Sequence, residues 1–220
     1  MDVLRRHEIF EIEVLERLNS EKFLEPLVFG GGTMLRLCYE LDRYSADLDF
    51  WFIKRAREGT YFKKLRRSLG RIYEVTDAHV KFYTLLFEIR SKEYPKRLKI
   101  EIRRKMKECD FQERIAFSKF STKQVVLKVH TAEQTMKNKI EAAIERREVR
   151  DCYDIEFLLR KGVPLLTSRD KLVRLEETIN KFKENDIKVT LGSLLEPEKR
   201  RYYAKNKFKF LLERISGELA

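Results

Sequence analysis

Along the first twenty residues, Phe10, Val14, Leu15 and Leu18 recur at helical spacing and share one face, which predicts a helix over Val3–Leu18. Leu27-Val28-Phe29 reads as a short buried strand running into Gly30-Gly31-Gly32. Thr33 to Leu41 then reads as a helix with Met34, Leu35 and Leu37 apolar, and Asp47 to Ile53 as a strand. From Tyr61 to Tyr73 the pattern is strongly amphipathic: Phe62, Leu65, Leu69 and Ile72 line one side, while Lys63, Lys64, Arg66, Arg67 and Arg71 cover the rest. Strand patterns follow at Val80–Ile89, at Leu98, Ile100 and Ile102 alternating with Lys99, Glu101 and Arg103, and at Val125, Leu127 and Val129.

After residue 130 the period changes. Thr131 and Gln134 form a capping-box signature that opens a helix reaching about Arg147. A second helix spans Val149–Arg160 and stops at Gly162, with Pro164 just beyond. Leu172, Leu175, Ile179 and Phe182 mark a third, and Pro197 opens a last one that carries Phe208, Leu211, Leu212, Ile215 and Leu219 inside. The expected class is therefore α+β, with an α+β domain over residues 1–130 and an all-helical region over residues 131–220. No internal repeat or low-complexity tract interrupts either.

Composition narrows this picture. A chain of 220 residues that is 43% apolar, with 15 Phe and 9 Tyr, can build a sizeable core, while 38% charged residues with only 8 Gly and 4 Pro exclude collagen-like and disordered classes. No run of about 18 apolar residues exists to span a membrane, and the charged N-terminal stretch lacks a signal-peptide core. Cys38, Cys109 and Cys152 are widely separated, as are His7, His79 and His130; the expectation is a cytoplasmic protein with reduced thiols and neither a structural zinc nor a histidine metal site. The net charge of +12 points to a polyanionic partner such as nucleic acid or nucleotide, or else to a surface of the thermophile kind.

Chemistry concentrates between Phe29 and Phe52. Three glycines between a strand and a helix let backbone approach a ligand closely and leave helix-terminal N–H groups free for phosphate. Asp47 and Asp49 stand two apart on a strand and project from the same face, with Leu48 and Phe50 on the other. Two such carboxylates repel unless a cation sits between them, and hard oxygen ligands suit Mg²⁺, with Mn²⁺ the next candidate. A carboxylate pair beside a phosphate-cradling turn is what two-metal phosphoryl transfer requires.

The same residues resemble the signature of the polymerase β-like nucleotidyltransferase superfamily, a glycine turn and helix followed by a strand with Asp-x-Asp. The longer string Gly31-Gly32-Thr33, Leu35, Arg43, Ser45, Asp47-Leu48-Asp49-Phe50 looks more specifically like the AbiEii/AbiGii toxin nucleotidyltransferases, and Lys139, Ala142, Arg146, Arg150, Asp151, Tyr153 and Asp154 match that family's later helices. The resemblance covers roughly residues 27–160. It implies a polymerase β-like core with a C-terminal helical bundle that completes the active-site cleft, and a catalytic set of Asp47, Asp49, Glu101, Lys139 and Asp151. Asp47, Asp49 and Glu101 would hold metal. Gly31, Gly32, Thr33, Ser45, Lys139 and Arg146 would bind the nucleotide.

For Glu101 the alternative is an ion pair with Lys99 or Arg103, and for Lys139 and Arg146 it is a network with Asp151 or Asp154. By the same resemblance, the expected activity is Mg²⁺-dependent transfer of a nucleotide from an NTP to an acceptor hydroxyl, with tRNA or another RNA as acceptor and an antitoxin as genetic partner. A protein side chain as acceptor, or a non-catalytic nucleic-acid-binding role on the same fold, are the rival readings. The last helix interleaves Lys199, Arg200, Arg201, Lys205, Lys207 and Lys209 with Tyr202, Tyr203, Phe208 and Phe210, which suits either RNA or a solvated face over buried aromatics.

Overall fold

A computed structural model describes residues 2–220. The chain divides into two compact units, one comprising residues 1–40 and 44–130, the other Leu41–Arg43 together with residues 131–220. No helix among the described residues is long and apolar enough to cross a membrane.

The first unit is built on a seven-stranded mixed sheet. Its elements in order are α1 (Asp2–Ser20), β1 (Leu27–Gly30), α2 (Gly31–Tyr39), β2 (Asp47–Phe52), α3 (Glu58–Leu69), β3 (Glu74–Val80), β4 (Thr84–Arg90), β5 (Leu98–Arg103), β6 (Phe111–Phe117) and β7 (Gln124–His130). The strand order is β3-β4-β5-β2-β1-β7-β6. β2 runs antiparallel to β1 and parallel to β5, and β1 runs parallel to β7. Alternation along β2 buries Leu48, Phe50 and Phe52 on one face and leaves Asp47, Asp49 and Trp51 half-exposed on the other. The buried face continues through Ile100 and Ile102 of β5, Leu85 and Phe87 of β4 and Phe29 of β1, whose ring stacks on Phe50 at 5.0 Å. Helix α3 joins this face through Phe62, stacked on Phe87 at 4.8 Å.

One strand expectation needs correcting, and one strand went unread. The stretch Val80–Ile89 is not one strand: the chain turns at residues 81–83, so Val80 ends β3 and Thr84 opens β4 as its antiparallel partner. β6 escaped the sequence pattern because five of its first six residues, through Ile115, are exposed and apolar alternation is therefore lost. Helix α3 begins at Glu58 and ends at Leu69, before Gly70, rather than running to Tyr73.

The second unit is helical, with α4 (Ala132–Arg146), α5 (Val149–Arg160), α6 (Arg169–Asn180), α7 (Pro197–Asn206) and α8 (Lys209–Leu219). The capping expectation holds: the Thr131 side chain accepts a hydrogen bond from the Gln134 backbone N–H. Between α6 and α7 lie a π-helical turn, Asp186–Leu191, and a 3-10 turn, Gly192–Leu194, which the sequence reading did not separate. The single last helix expected over residues 197–219 is two. It breaks at Lys207, whose φ of 49° and ψ of −129° lie in backbone space that a side chain strains, and the break lets Phe208 turn fully inward. Tyr203 is buried too, so the aromatics of this stretch serve largely as core, with only Tyr202 notably exposed.

Because Lys207 pays this conformational penalty, Lys207→Gly is expected to stabilise the protein by about 1 kcal/mol. A urea titration reads this as a higher midpoint at unchanged slope. An unchanged or lower midpoint would show that the conformation is not strained.

Candidate active site

Register brings the glycine turn and the aspartates together in the first unit. Gly30 pairs with Asp49 across β1 and β2, so the β1–α2 turn and the Asp-x-Asp strand meet at one end of the sheet. Gly31 has φ of +77°, and a Cβ there would collide with the Asp49 carboxylate. Gly30 needs to be small for a different reason: a Cβ would approach the Trp51 ring to 2.6 Å and His130 Nδ1 to 2.7 Å. The turn is thus pressed against Asp49 on one side and an aromatic floor on the other. Gly32 and Thr33 are buried in the first turn of α2, and the Thr33 hydroxyl is buried with no hydrogen-bond partner among the described residues. What this turn can offer an anion is backbone N–H groups at a helix N-terminus. Ser45 lies half-buried in the loop leading into β2.

Glu101 stands directly opposite Asp49, and Lys99 opposite Asp47, on the neighbouring parallel strand. Paired positions share a face, so three carboxylates and one ammonium line the open side of the sheet. Glu101 forms an ion pair with Lys99, as the alternative reading of the sequence had it. Burial draws the Lys99 pKa down, but the hydrogen bond from Lys99 to Glu101 and the charges of Glu101, Asp47 and Asp49 outweigh it and hold the ammonium above its ordinary value. Lys99 thus acts as an internal counter-cation for the acidic row. Among the described residues no three Asp, Glu, His or Cys side chains converge as a metal cage. The donor set that fits a hard cation is accordingly Asp47 and Asp49, with the remaining ligands left to water and phosphate oxygens. The crowding of Asp49 against Gly31 places one of these carboxylates beside the glycine turn.

Sequence reasoning set His7 aside, yet it is fully buried and its Nε2 donates to the Ala46 carbonyl at 3.0 Å, fixing the residue before Asp47. Burial holds its pKa below the usual histidine value, so it is neutral near pH 7. Nearby, Glu8 accepts from Arg36 at 2.9 Å and from Ser118 at 2.6 Å, tying α1 to α2 and to the β6–β7 turn. The signal was present in α1, where His7, Glu8 and Glu11 fall on its apolar side and are buried.

The second unit gathers the other matched residues around two buried carboxylates. Arg43 grips Asp154 with two 2.6 Å hydrogen bonds, from Nε and Nη2. Lys139 Nζ lies 2.6 Å from Asp154 and 2.9 Å from Asp151, and Arg146 approaches Asp151 to 3.1 Å. Asp151 and Asp154 are wholly buried; burial alone would raise the Asp154 pKa, but Arg43 and Lys139 reverse this and hold it below the usual carboxylate value. Tyr153, between them in sequence, donates to Asp42 at 2.5 Å. The network expected as the alternative for Lys139 and Arg146 is therefore present, and Arg43, a matched residue without an assigned role, is its anchor.

A mixed sheet with an Asp-x-Asp strand registered against a glycine turn, accompanied by a helical unit, defines the nucleotidyltransferase class. The AbiEii profile, described as nucleotidyl transferase AbiEii toxin of a type IV toxin–antitoxin system, matches residues 13–217, and the chain belongs to this family. Among solved structures, a candidate nucleotidyltransferase from H. pylori is 20% identical with a TM-score of 0.57, over 95% of this chain and 96% of that one. JHP933 from Helicobacter pylori is likewise 20% identical, with a TM-score of 0.52 over 92% and 94% of the two chains. These two likenesses concern the fold. A comparison with curated proteins gives no match.

Three substitutions probe the geometry. Gly31→Ala forces both a strained φ and a clash with Asp49, and is expected to destabilise by on the order of 2 kcal/mol, read from the melting temperature; an unchanged melting temperature would remove the steric argument. Lys139→Ala leaves Asp151 and Asp154 short of a buried cation and should cost about 3–5 kcal/mol of stability. Arg146, whose side chain is 46% exposed, should cost under about 1 kcal/mol when changed to Ala. Equal losses at the two positions would contradict the network's geometry.

Proposed function

We propose that this AbiEii-family nucleotidyltransferase moves an NMP from an NTP to a hydroxyl of RNA, with tRNA the foremost candidate, in a Mg²⁺-dependent reaction that makes it the toxin partner of an antitoxin. The observation that carries the reading is the register of Gly30 with Asp49, which sets two same-face aspartates against the glycine turn. In this reading Asp47 and Asp49 hold the divalent cation, which when bound supplies charge stabilisation at the reacting phosphoryl group and eases ionisation of the acceptor hydroxyl. Backbone N–H groups of the Gly31-Gly32-Thr33 turn hold triphosphate oxygens, with Ser45 as a further donor. Glu101 acts as a third acidic group once released from Lys99, or continues to hold that ammonium at the site.

In the helical unit, Arg146 is the exposed cation suited to phosphate, while Lys139 and Asp151 set its position. The acceptor hydroxyl gives up its proton to solvent as its oxygen attacks the α-phosphorus, the bond from the α-phosphorus to the α,β-bridging oxygen breaks, and pyrophosphate leaves with the electron pair. The +12 charge agrees with RNA as the acceptor.

Incubation with each α-labelled NTP, Mg²⁺ and either total RNA or total protein tests this. Label is expected in RNA, with transfer abolished by EDTA. Asp47→Asn and Asp49→Asn should each reduce transfer by at least about 10²-fold, the scale of losing a charge-stabilising group, without lowering the melting temperature. Near wild-type transfer by either variant would defeat the two-carboxylate reading, and label in protein alone would replace RNA by a side-chain acceptor.

A further inference from the structure

We propose that the tip of the β3–β4 hairpin and the outer side of α3 form a docking surface for single-stranded RNA. This rests on the RNA-acceptor reading and gives it a location. Phe82 and Tyr83, at the hairpin tip, are 80% and 68% exposed, and their rings meet edge to face at 4.6 Å. Exposed aromatics on a loop could simply be mobile, but this tip is pinned. Arg104 donates its backbone N–H to the Tyr83 carbonyl at 3.0 Å and its Nη1 to the carbonyls of Lys81 and Phe82 at 2.8 and 3.1 Å. The same guanidinium is anchored to Glu58 of α3 through Nε at 2.6 Å. Two large apolar rings are thus held in water by a fixed backbone, and no burial in this fold accounts for them.

Beside the tip, an open groove of about 960 Å³ is lined by Phe62, Val80 and the cations Lys63, Arg66, Arg67 and Arg71, with Glu74 the one acid among its lining residues. Its four cations are all exposed, and none of them is in an ion pair with a described residue. Unpaired guanidinium and ammonium groups clustered along α3 (Lys63, Arg66, Arg67) and just past its end (Arg71) raise the local potential and favour a polyanion. A protein partner would need acidic side chains at matching positions; a phosphate backbone meets the spacing of successive cations without a special sequence. The adjacent rings then explain why the strand should be single: unpaired bases stack on aromatic side chains, whereas duplex bases are already stacked.

The surface also lies within reach of the chemistry. Only β5 separates β4 from the Asp-x-Asp strand, and Asp49, Glu101 and Leu86 follow one another across the sheet. With about 4.8 Å between strands and about 3.4 Å per residue, the tip is on the order of 15–20 Å from Asp49.

The test is binding of a 5′-fluorescein-labelled 20-nucleotide unstructured RNA, followed by anisotropy over a range of KCl concentrations without NTP. Phe82→Ala/Tyr83→Ala should weaken binding by about tenfold or more with the salt slope retained, since stacking carries no charge. Lys63, Arg66, Arg67 and Arg71 changed together to Gln should lower the slope by roughly 3, as single-stranded contacts contribute about 0.7 each. Melting temperatures should stay at the wild-type value, because all six side chains are exposed.

Wild-type affinity and slope in both variants would overturn the proposal, even if the enzyme labels RNA, and would send the acceptor elsewhere. A wild-type chain that binds no RNA at any salt would overturn it as well. Loss of binding in both variants, together with label found only in protein, would keep this surface as an RNA interface while removing RNA as the acceptor.

Discussion

Two carboxylates that must share one face of a strand create a local excess of negative charge, and much of the first unit can be understood as the framework that makes this tolerable. β2 alternates so that Leu48, Phe50 and Phe52 anchor the strand in the core while Asp47 and Asp49 stay at the open side. Parallel pairing with β5 adds Glu101 to the same row but also Lys99, whose ammonium answers the charge of all three. Antiparallel pairing with β1 brings in backbone N–H groups through the glycine turn. Repulsion within the acidic row is thus balanced from the β5 side by the Lys99 ammonium.

The helical unit handles its buried charge in a different way. Asp151 and Asp154 have no contact with water, and each is compensated by cations donated from elsewhere in the unit: Lys139 to both, Arg43 to Asp154 and Arg146 to Asp151. Such a cluster contributes little net stability over an apolar core, but it fixes geometry, since each member left unpaired would be costly. Lys139 at 7% exposure is held by two carboxylates at once. It is better described as the keystone of the arrangement than as a free phosphate ligand, and Arg146 is the member with room to reach outward.

Much of this was legible in the sequence wherever one local rule dominated. The Asp-x-Asp spacing, the glycines, the Thr131 cap and the amphipathic helices each report a short-range preference that the fold keeps. The readings that failed depended on partners distant in the chain. β6 hides its strand character because its side chains are mostly exposed, so its pairing with β7 cannot be seen in its own pattern. Val80 to Ile89 is apolar enough to pass for one strand, and only the Arg104 contacts at residues 81–83 reveal the turn. His7 was a lone histidine in sequence; its partner, the Ala46 carbonyl, is 39 residues away. The ion pair of Lys99 with Glu101 was weighed from spacing alone, but its connection with Asp47 and Asp49 required the β2–β5 register.

The helical unit is discontinuous, because Leu41–Arg43 belong to it although the residues on either side belong to the sheet unit. Arg43 enters the helical core not only through Asp154 but also through a backbone bridge to Leu195. A fragment cut cleanly after residue 130 would therefore leave Asp154 with Lys139 alone, without its two-pronged arginine, and Leu195 without its bridging partner. In evolutionary terms, the sheet unit and the helices cannot be exchanged as beads on a string: a recombination event that swapped everything past residue 130 would have to import a compatible arginine forty residues into the other half. The three-residue excursion acts as a lock on inheritance, binding the two parts of the sequence into one heritable unit.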